Sequence, residues 1–461
     1  MPKTLTDSLE QSRPTKLQAM ARRPGLLLLI YGLLLAISTA AVQRESSHWT
    51  SRLATVESLV ARGTFAIEDS TYADTVDKVK IGSHFYSHQP PAHAVVTSIL
   101  YFPLYHLGLH FSDRRNAAFA ILTFAINGVS TMLALILFFR VLAWHNLSRE
   151  LRLLITCGLA FGSLILPYST TFNVHGVMAA WLFIGLFCLL KSDRGERKPE
   201  WMFASGFIFS LCAAMDHGTV FFYAAFGAML VLRREKFRNV ALFVLPACLT
   251  LLPTAAYYYL IGGSIKPFAT RPELFAYQGS YWTNTDPKIN PFHDKLTGEH
   301  WNSPATAIRY GLACLFGAHG FLVYNPLLVI AIAGIVQTIR RRMLFWREAA
   351  AIACGSAGMM TYYFLASTNF GGWSYSVRWF VSVLFLWWFF VPAAADLFAR
   401  RKLLTVALAT ASVVYAVGGV ANPWTTPDIG YSAPFVNIGR KLGCCRQPLP
   451  APVAPAGTGR Q

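Results

Sequence analysis

Charge is so unevenly spread along this chain that a bilayer is the solvent it calls for. An uncharged run of 18 residues, Gly25 to Val42, opens a series of long apolar stretches; short basic clusters separate them on one side and long aromatic, acid-containing loops on the other. Crossing hydrocarbon takes about 20 mostly apolar residues whose backbone N–H and C=O groups bond within the segment. The alternation of a membrane barrel strand is absent. With 54% hydrophobic and 13% charged residues in 461, the chain cannot cover a soluble surface of that size. The expected class is an all-α, polytopic integral membrane protein.

Lys and Arg set the expected orientation. With the basic N-terminus (Lys3, Arg13, Lys16, Arg22, Arg23) in the cytoplasm, the first span runs outward and residues 44–91 lie outside. Ala92 to Phe111 is apolar but holds Pro103, His93, His106 and His110; it either spans or lies at the outer interface. If it does not span, every later basic cluster falls inside: Arg140 with Arg149 and Arg152, Lys191 to Lys198, Arg233 to Arg238, Arg340 to Arg347, and Arg400 to Lys402. Those clusters and the tail hold 23 of the 40 Lys and Arg residues, which selects the interfacial reading.

Eleven spans are then expected at about 24–43, 116–139, 153–167, 174–190, 200–215, 218–232, 239–261, 320–339, 348–366, 379–398 and 403–421, within a membrane domain of 24–421. A cytoplasmic tail, 1–23, precedes it. Outer loops are expected at 44–115, 262–319 and 367–378, and the tail 422–461 ends in a Pro/Ala/Gly-rich stretch that cannot build a core. The expected location is a bacterial inner membrane with the working face outside.

The net charge of +18 sits in clusters between apolar spans, so it sets orientation and argues against a nucleic-acid partner. Cys157, Cys188, Cys212, Cys248, Cys314 and Cys354 lie in or beside spans and give no disulfide pattern. The first apolar run lacks a clear small-residue cleavage site and is expected to remain as a helix.

The first outer loop carries the densest chemistry. Leu53, Val56, Leu59 and Val60 recur at helical spacing, with Arg52 and Glu57 off that stripe, which predicts an amphipathic helix closed by Gly63. Glu57, Glu68 and Asp69 divide evenly between loop solvation and function. Asp77, beside Lys78 and followed by Phe85 and Tyr86, has a more apolar setting. There a carboxylate suits a general base or a divalent cation, and a neighbouring cation suits a phosphate leaving group; a structural salt bridge is the rival.

A first spanning helix, an Arg-bearing amphipathic helix, a Gly-Thr turn and the segment Phe85-Tyr86-Ser87-His88-Gln89-Pro90-Pro91 leading to an interfacial helix resemble the GT-C glycosyltransferases. The likeness is to the protein O-mannosyltransferase and aminoarabinose transferase branch, over about 24–421. The resemblance implies transfer of a sugar from a polyprenyl-phosphate carrier to an acceptor on the non-cytoplasmic face, with inversion at the anomeric carbon. Two departures stand out. The branch's acidic pair before the arginine matching Arg52 is here Trp49-Thr50, and its Asp-Lys-Pro-Pro is His88-Gln89-Pro90-Pro91. Its catalytic roles then fall to Glu45, Asp74 or Asp77 with Lys78, or the chemistry departs from the branch's.

Downstream, His175 and Asp216 open helices at their outer ends. An ionisable residue at membrane depth is a site candidate; for Asp216 capping is the expected role, and for His175 capping and function stand level. The second loop joins Lys266 and Arg271 to aromatics including Trp282, suited to phosphate and sugar, or to anchoring at the interface. His319 lies between Gly317 and Gly320, where backbone can approach a ligand. His293, Asp294, Glu299 and His300 have no diagnostic metal spacing, and the metal is left undefined. In the third loop Gly371 and Gly372 permit a turn, Trp373 and Tyr375 offer faces, and Arg378 opens a span, where a guanidinium needs an anion such as a lipid phosphate or must snorkel.

The assembled expectation is a membrane glycosyltransferase. Asp77 or Asp74 would be the base, and Arg52, Lys78, Arg378, His319 and Lys266 would serve the donor phosphate. His88, His175, Trp282, Trp373 and Tyr375 would face substrate, with membrane lipid around the protein. A carrier, flippase or assembly partner for lipid-linked envelope glycans is the alternative. Spans nearly uncharged away from their ends count against ion-coupled transport.

Overall fold

The computed structural model describes residues 24–41, 47–113, 116–193, 198–284, 304–317, 319–367, 370–372, 374–421 and 423–424. Expectations for the two tails, Glu45, Trp373 and the segment containing His293, Asp294, Glu299 and His300 lie outside them.

The chain is an all-α polytopic membrane protein. Apolar helices carry it: α4 (Ala117–His145), α7 (Val174–Lys191), α10 (Phe237–Gly262), α14 (Trp346–Ala366) and α17 (Lys402–Ala421) are long enough to cross a membrane, and α1 (Pro24–Ala41), α8 (Pro199–Met215), α9 (Val220–Leu232) and α13 (Leu328–Arg340) are shorter. Three expected spans are interrupted. The 153–167 stretch divides into α5 (Arg149–Phe161) and α6 (Ile165–Ser169) at Gly162. The 320–339 stretch divides into α12 (Phe321–Tyr324) and α13 around Pro326, which cannot supply a helical N–H. The 379–398 stretch is α15 (Arg378–Trp388) and α16 (Val391–Ala399), bent by 79°.

Glycines let neighbouring helices meet closely. A Cβ at Gly206 would lie 2.0 Å from the Phe243 carbonyl oxygen, and one at Gly334 2.0 Å from that of Phe390. Phe183 stacks on Phe385 at 5.6 Å between them.

The first loop folds as expected in outline and differs in detail. α2 (Ser47–Arg62) buries Trp49, Leu53 and Val56 and ends at Gly63, whose φ of +66° suits a residue without Cβ. β1 (Lys78–Ile81) and β2 (His84–Ser87) then form an antiparallel hairpin that the loop reading did not foresee. Glu57 is no solvating acid: it is buried and accepts from Ser70 Oγ at 2.7 Å, Thr71 N at 2.7 Å and Thr71 Oγ1 at 2.8 Å. α3 (Pro91–His106) starts on Pro91 at its first turn, where a missing N–H costs nothing. It buries His93, Ala94, Thr97 and Tyr101 and exposes Val95, Ile99 and Phe102, an apolar outer face on a helix of 16 residues.

α11 (Pro304–Phe316) falls inside the expected outer loop 262–319. With α12 it is long and apolar enough to cross. Its contacts are with one end of α14: Tyr310 meets Phe364 and Phe370, and His319 beyond its far end still stacks on Phe370 at 5.7 Å.

The helices sort the loops into two ends. At one end Arg233 pairs with Asp193 at 2.5 Å, Glu235 at 3.0 Å and Glu348 at 3.8 Å, tying together the segments after α7 and α9 and the start of α14. At the other end lie the start of α7, the α8–α9 junction, the end of α14 and the first and third loops.

Candidate active site

α2 fixes the first cation. Arg52 is 2% exposed; Nη2 donates to Gln89 Oε1 at 2.9 Å and Nη1 to the Pro90 carbonyl at 3.5 Å, while its buried Nε has no acceptor among the described residues. Gln89 Nε2 also lies 2.8 Å from His88 Nε2. The hairpin is stitched to α2 through Ser51, whose Oγ donates to the Asp77 carbonyl at 2.6 Å and lies 2.6 Å from Ser87 Oγ. That seam places Asp77 beside His88. Asp77 is 7% exposed, and its carboxylate has no hydrogen bond or ion pair among the described residues.

α7 and the α8–α9 junction bring the next groups. Asn173 caps α7, its Oδ1 accepting from Gly176 N at 2.7 Å, and His175 follows, 2% exposed. Asp216 interrupts the chain between α8 and the turn His217–Thr219, and its Oδ1 accepts from Gly218 N at 2.9 Å. Its expected capping role is therefore real, but the carboxylate does more. Tyr363, at the end of α14, donates to Oδ1 at 2.6 Å and Oδ2 at 2.8 Å, and His175 Nδ1 lies 3.4 Å from Oδ2.

The third loop delivers the second cation. Gly371 and Gly372 take φ of +96° and +67°, and Ser376 takes +67°. Ser374 Oγ bonds the Gly371 and Ser376 carbonyls at 3.2 and 2.9 Å, holding a turn that a Cβ at Gly371 would obstruct at Ser374 Oγ (2.8 Å) and Arg378 Cγ (3.3 Å). Arg378 lies over the Trp424 ring at 5.4 Å, and its buried Nε has no acceptor among the described residues. Its neighbour Trp379 stacks on Tyr363 at 4.6 Å, linking this arginine to Asp216's donor.

These groups share one electrostatic neighbourhood. Asp216 acts on both Arg52 and Arg378, and Asp77 on Arg378 and His88. Burial pulls the Arg52 guanidinium down to about 10 despite Asp216. Burial also lowers His88 against the pull of Asp77, so its ring is disposed to stay neutral. His93 is 1% exposed, T-shaped against Phe172 at 5.1 Å, with neither ring nitrogen hydrogen-bonded among the described residues.

Of the residues singled out from sequence, Arg52, Asp77, His88, His175 and Arg378 are brought together. Others go elsewhere. Lys78, next to Asp77, turns away as strand geometry demands, donating to the Ala73 carbonyl at 2.5 Å and lying over Phe85 at 5.0 Å; Asp74 is exposed nearby. Lys266 is exposed at the surface near the Arg271–Glu273 pair. Trp282 pins the second loop to the hairpin, its Nε1 donating to the Val76 carbonyl at 2.9 Å. Tyr375 donates to the Tyr415 carbonyl at 2.8 Å, and His319 supports the third loop by accepting from Ser376 Oγ at 3.1 Å on its carbonyl. Sequence reasoning missed Gln89, His93 and Tyr363. A polar residue at the Asp216 helix break was a usable signal; Tyr363 gave none.

No group of three or more His, Cys, Asp and Glu side chains suited to a metal converges among the described residues. A cavity of about 450 Å³ lies at the opposite end, lined by Asp193, Arg233, Arg342, Trp346, Arg347 and Glu348, and Arg233 is already committed to its carboxylates.

No family model and no curated protein matches the chain. Solved structures do. ArnT from Cupriavidus metallidurans in its apo state shares 14% identity over 92% of this chain and 71% of that one, with a TM-score of 0.53. The same protein bound to undecaprenyl phosphate gives 13%, 86%, 75% and 0.48 in the same order. The Archaeoglobus fulgidus oligosaccharyltransferase in its apo form gives 12%, 94%, 62% and 0.44. The first likeness shows that the chain has the fold of that enzyme, the GT-C fold.

Proposed function

We propose that this chain is a membrane glycosyltransferase that takes a sugar from a polyprenyl-phosphate carrier and passes it to an acceptor on the non-cytoplasmic face. One observation carries this reading: two arginines from separate loops meet near Asp77 and Asp216, each with a buried Nε lacking an acceptor among the described residues. Keeping guanidinium groups from water without an ion partner is costly, and an arriving phosphate removes that cost. The shared fold with ArnT, and the undecaprenyl phosphate bound in one structure of that enzyme, support the same donor class.

The chemistry follows from charge. Breaking the bond between the anomeric carbon and the carrier phosphate leaves negative charge on a phosphate oxygen, where Arg52 and Arg378 stabilise it. Gln89 and the Pro90 carbonyl hold Arg52; Trp424 and the Gly371 turn hold Arg378. A carboxylate, Asp77 or Asp216, takes the acceptor's proton, and attack opposite the leaving phosphate inverts configuration. The face carrying the cluster is taken as the outer one because the basic clusters gather at the other end.

The test is binding of undecaprenyl phosphate against undecaprenol to full-length protein in nanodiscs by native mass spectrometry, with mass spectrometry of glycolipids and glycans from a deletion strain. Phosphate-dependent binding lost in R52A and R378A, with one glycan missing from the strain, is expected. Equal binding of both lipids would remove the phosphate site, and binding with an unchanged glycan profile would favour a carrier.

A further inference from the structure

We propose that Asp216 is the group that accepts the acceptor's proton, so that a carboxylate at the α8–α9 junction does the work that the first loop, with Trp49 and Thr50 at the expected acidic positions, cannot do. The proposal rests on the transferase reading and names the base within it.

The first loop's own geometry rules out those two positions as substrate contacts. Trp49 is 2% exposed, tilted against Phe119 at 4.6 Å and edge-on to Tyr72 at 5.5 Å; Thr50 donates to Thr75 Oγ1 at 3.0 Å. Asp77 remains, but the one arginine it acts on is Arg378, and nothing in the described residues orients its carboxylate. Asp216 differs on both counts. Its charge bears on both arginines proposed to hold the phosphate. Two donors fix its plane, Tyr363 Oη at 2.6 and 2.8 Å and Gly218 N at 2.9 Å, and the His175 ring lies beside it at 3.4 Å. A Cβ on Gly218 would come 2.7 Å from the Tyr363 ring, so a glycine is what lets the tyrosine reach the carboxylate. Capping a three-residue turn needs one backbone donor; the half-buried tyrosine from another helix exceeds that need.

A lone pair on the acceptor's O–H oxygen forms the bond to the anomeric carbon as the bond from that carbon to the phosphate oxygen breaks. The leaving electron pair stays on the carrier phosphate between Arg52 and Arg378. The acceptor's proton passes to the Asp216 carboxylate and then to solvent. Tyr363 and His175 act through Asp216 as positioning residues.

Full-length protein in nanodiscs is given a panel of synthetic undecaprenyl-phosphoryl hexoses and pentoses, with the host's extracted envelope lipids and glycans as acceptors, and release of undecaprenyl phosphate is followed. Asp216→Asn keeps an acceptor for Gly218 N and Tyr363, so it spares the fold. The expected result is a kcat at least 100-fold lower, in the range general-base loss gives, with donor KM and undecaprenyl phosphate binding within threefold of wild type. Asp216→Glu recovers part of the rate, and Tyr363→Phe costs about 5- to 20-fold. Arg341→Ala, exposed at the opposite end, stays within twofold. If D216N keeps a rate within threefold of an active wild type, the base lies elsewhere and the transferase reading survives. If D216N loses rate, donor binding and thermal stability together, Asp216 is only structural and the proposal falls. If wild type neither releases nor binds undecaprenyl phosphate, the transferase reading falls and takes the base with it.

Discussion

Replacing Arg52 by methionine separates the cost of burying this cation from its use. The side chain is 2% exposed and donates at 2.9 and 3.5 Å to neutral oxygens, and its Nε meets no acceptor among the described residues. Burial lowers the guanidinium to about 10, so below that value Arg52 stays a cation in the fold at a cost in stability relative to the unfolded chain. At about 1.4 kcal/mol per pH unit, the fold carries a burden of about 3 kcal/mol at neutral pH. Methionine relieves it and forfeits the bond to Gln89, worth about 1 kcal/mol, leaving R52M more stable by about 2 kcal/mol, within the range seen when buried ionic groups give way to apolar ones. The same change removes charge-assisted bonds to a phosphate, about 1.5–3 kcal/mol, which weakens undecaprenyl phosphate binding about 10- to 150-fold. Chemical denaturation in detergent, with and without undecaprenyl phosphate, reads both. An R52M protein less stable than wild type by more than about 1 kcal/mol, yet binding the lipid normally, would refute the account of Arg52 as a cation held in reserve for an anion.

Gly371→Ala should destabilise by about 1–3 kcal/mol, because φ is +96° and the new methyl meets Ser374 and Arg378, and should weaken lipid-phosphate binding along with the turn; melting and binding curves check this. Gly218→Ala pushes on the Tyr363 ring and should mimic Tyr363→Phe in rate, while the double variant adds little further loss. Because burial lowers His88, its contribution is fully present above about pH 6.5 and is lost as pH falls from there through the folded value, where the unfolded chain binds the proton more readily. His88→Gln should flatten that acid-side decline in unfolding free energy. Cysteines placed at exposed Ser83 and Met343 should label from opposite sides of sealed vesicles with a membrane-impermeant maleimide; labelling from one side would break the two-ended arrangement.

What could be read from the chain alone was the sorting of residues to an end of the bundle, because hydropathy and Lys/Arg placement are local properties. That sorting joined Arg52, Asp77, His88, His175 and Arg378 from segments more than 300 residues apart in sequence. Choosing among neighbours at that end depends on packing, which local pattern does not encode. Lys78 looked like Asp77's companion, but a hairpin alternates its side chains, and the lysine left for the Ala73 carbonyl. Glu57 stayed divided between solvation and function because the Ser70–Thr71 turn that receives it has no signature from the helix side.

Asp216 is the instructive case. Its position in the sequence points to a cap, yet a carboxylate carries two oxygens: Oδ1 receives the Gly218 N–H, and both face the hydroxyl of Tyr363, 147 residues away. A cap fixes where a carboxylate starts and what it points along; a partner from another helix fixes its plane. A group bound for proton transfer needs both, so a capping residue is a natural place for this chain to have built its base once positions 49 and 50 were spent on packing. The isosteric Asp216→Asn exchange keeps an oxygen for the Gly218 N–H and the Tyr363 hydroxyl while it removes the charge and the proton acceptor, so the rate is the quantity it must change more than the fold.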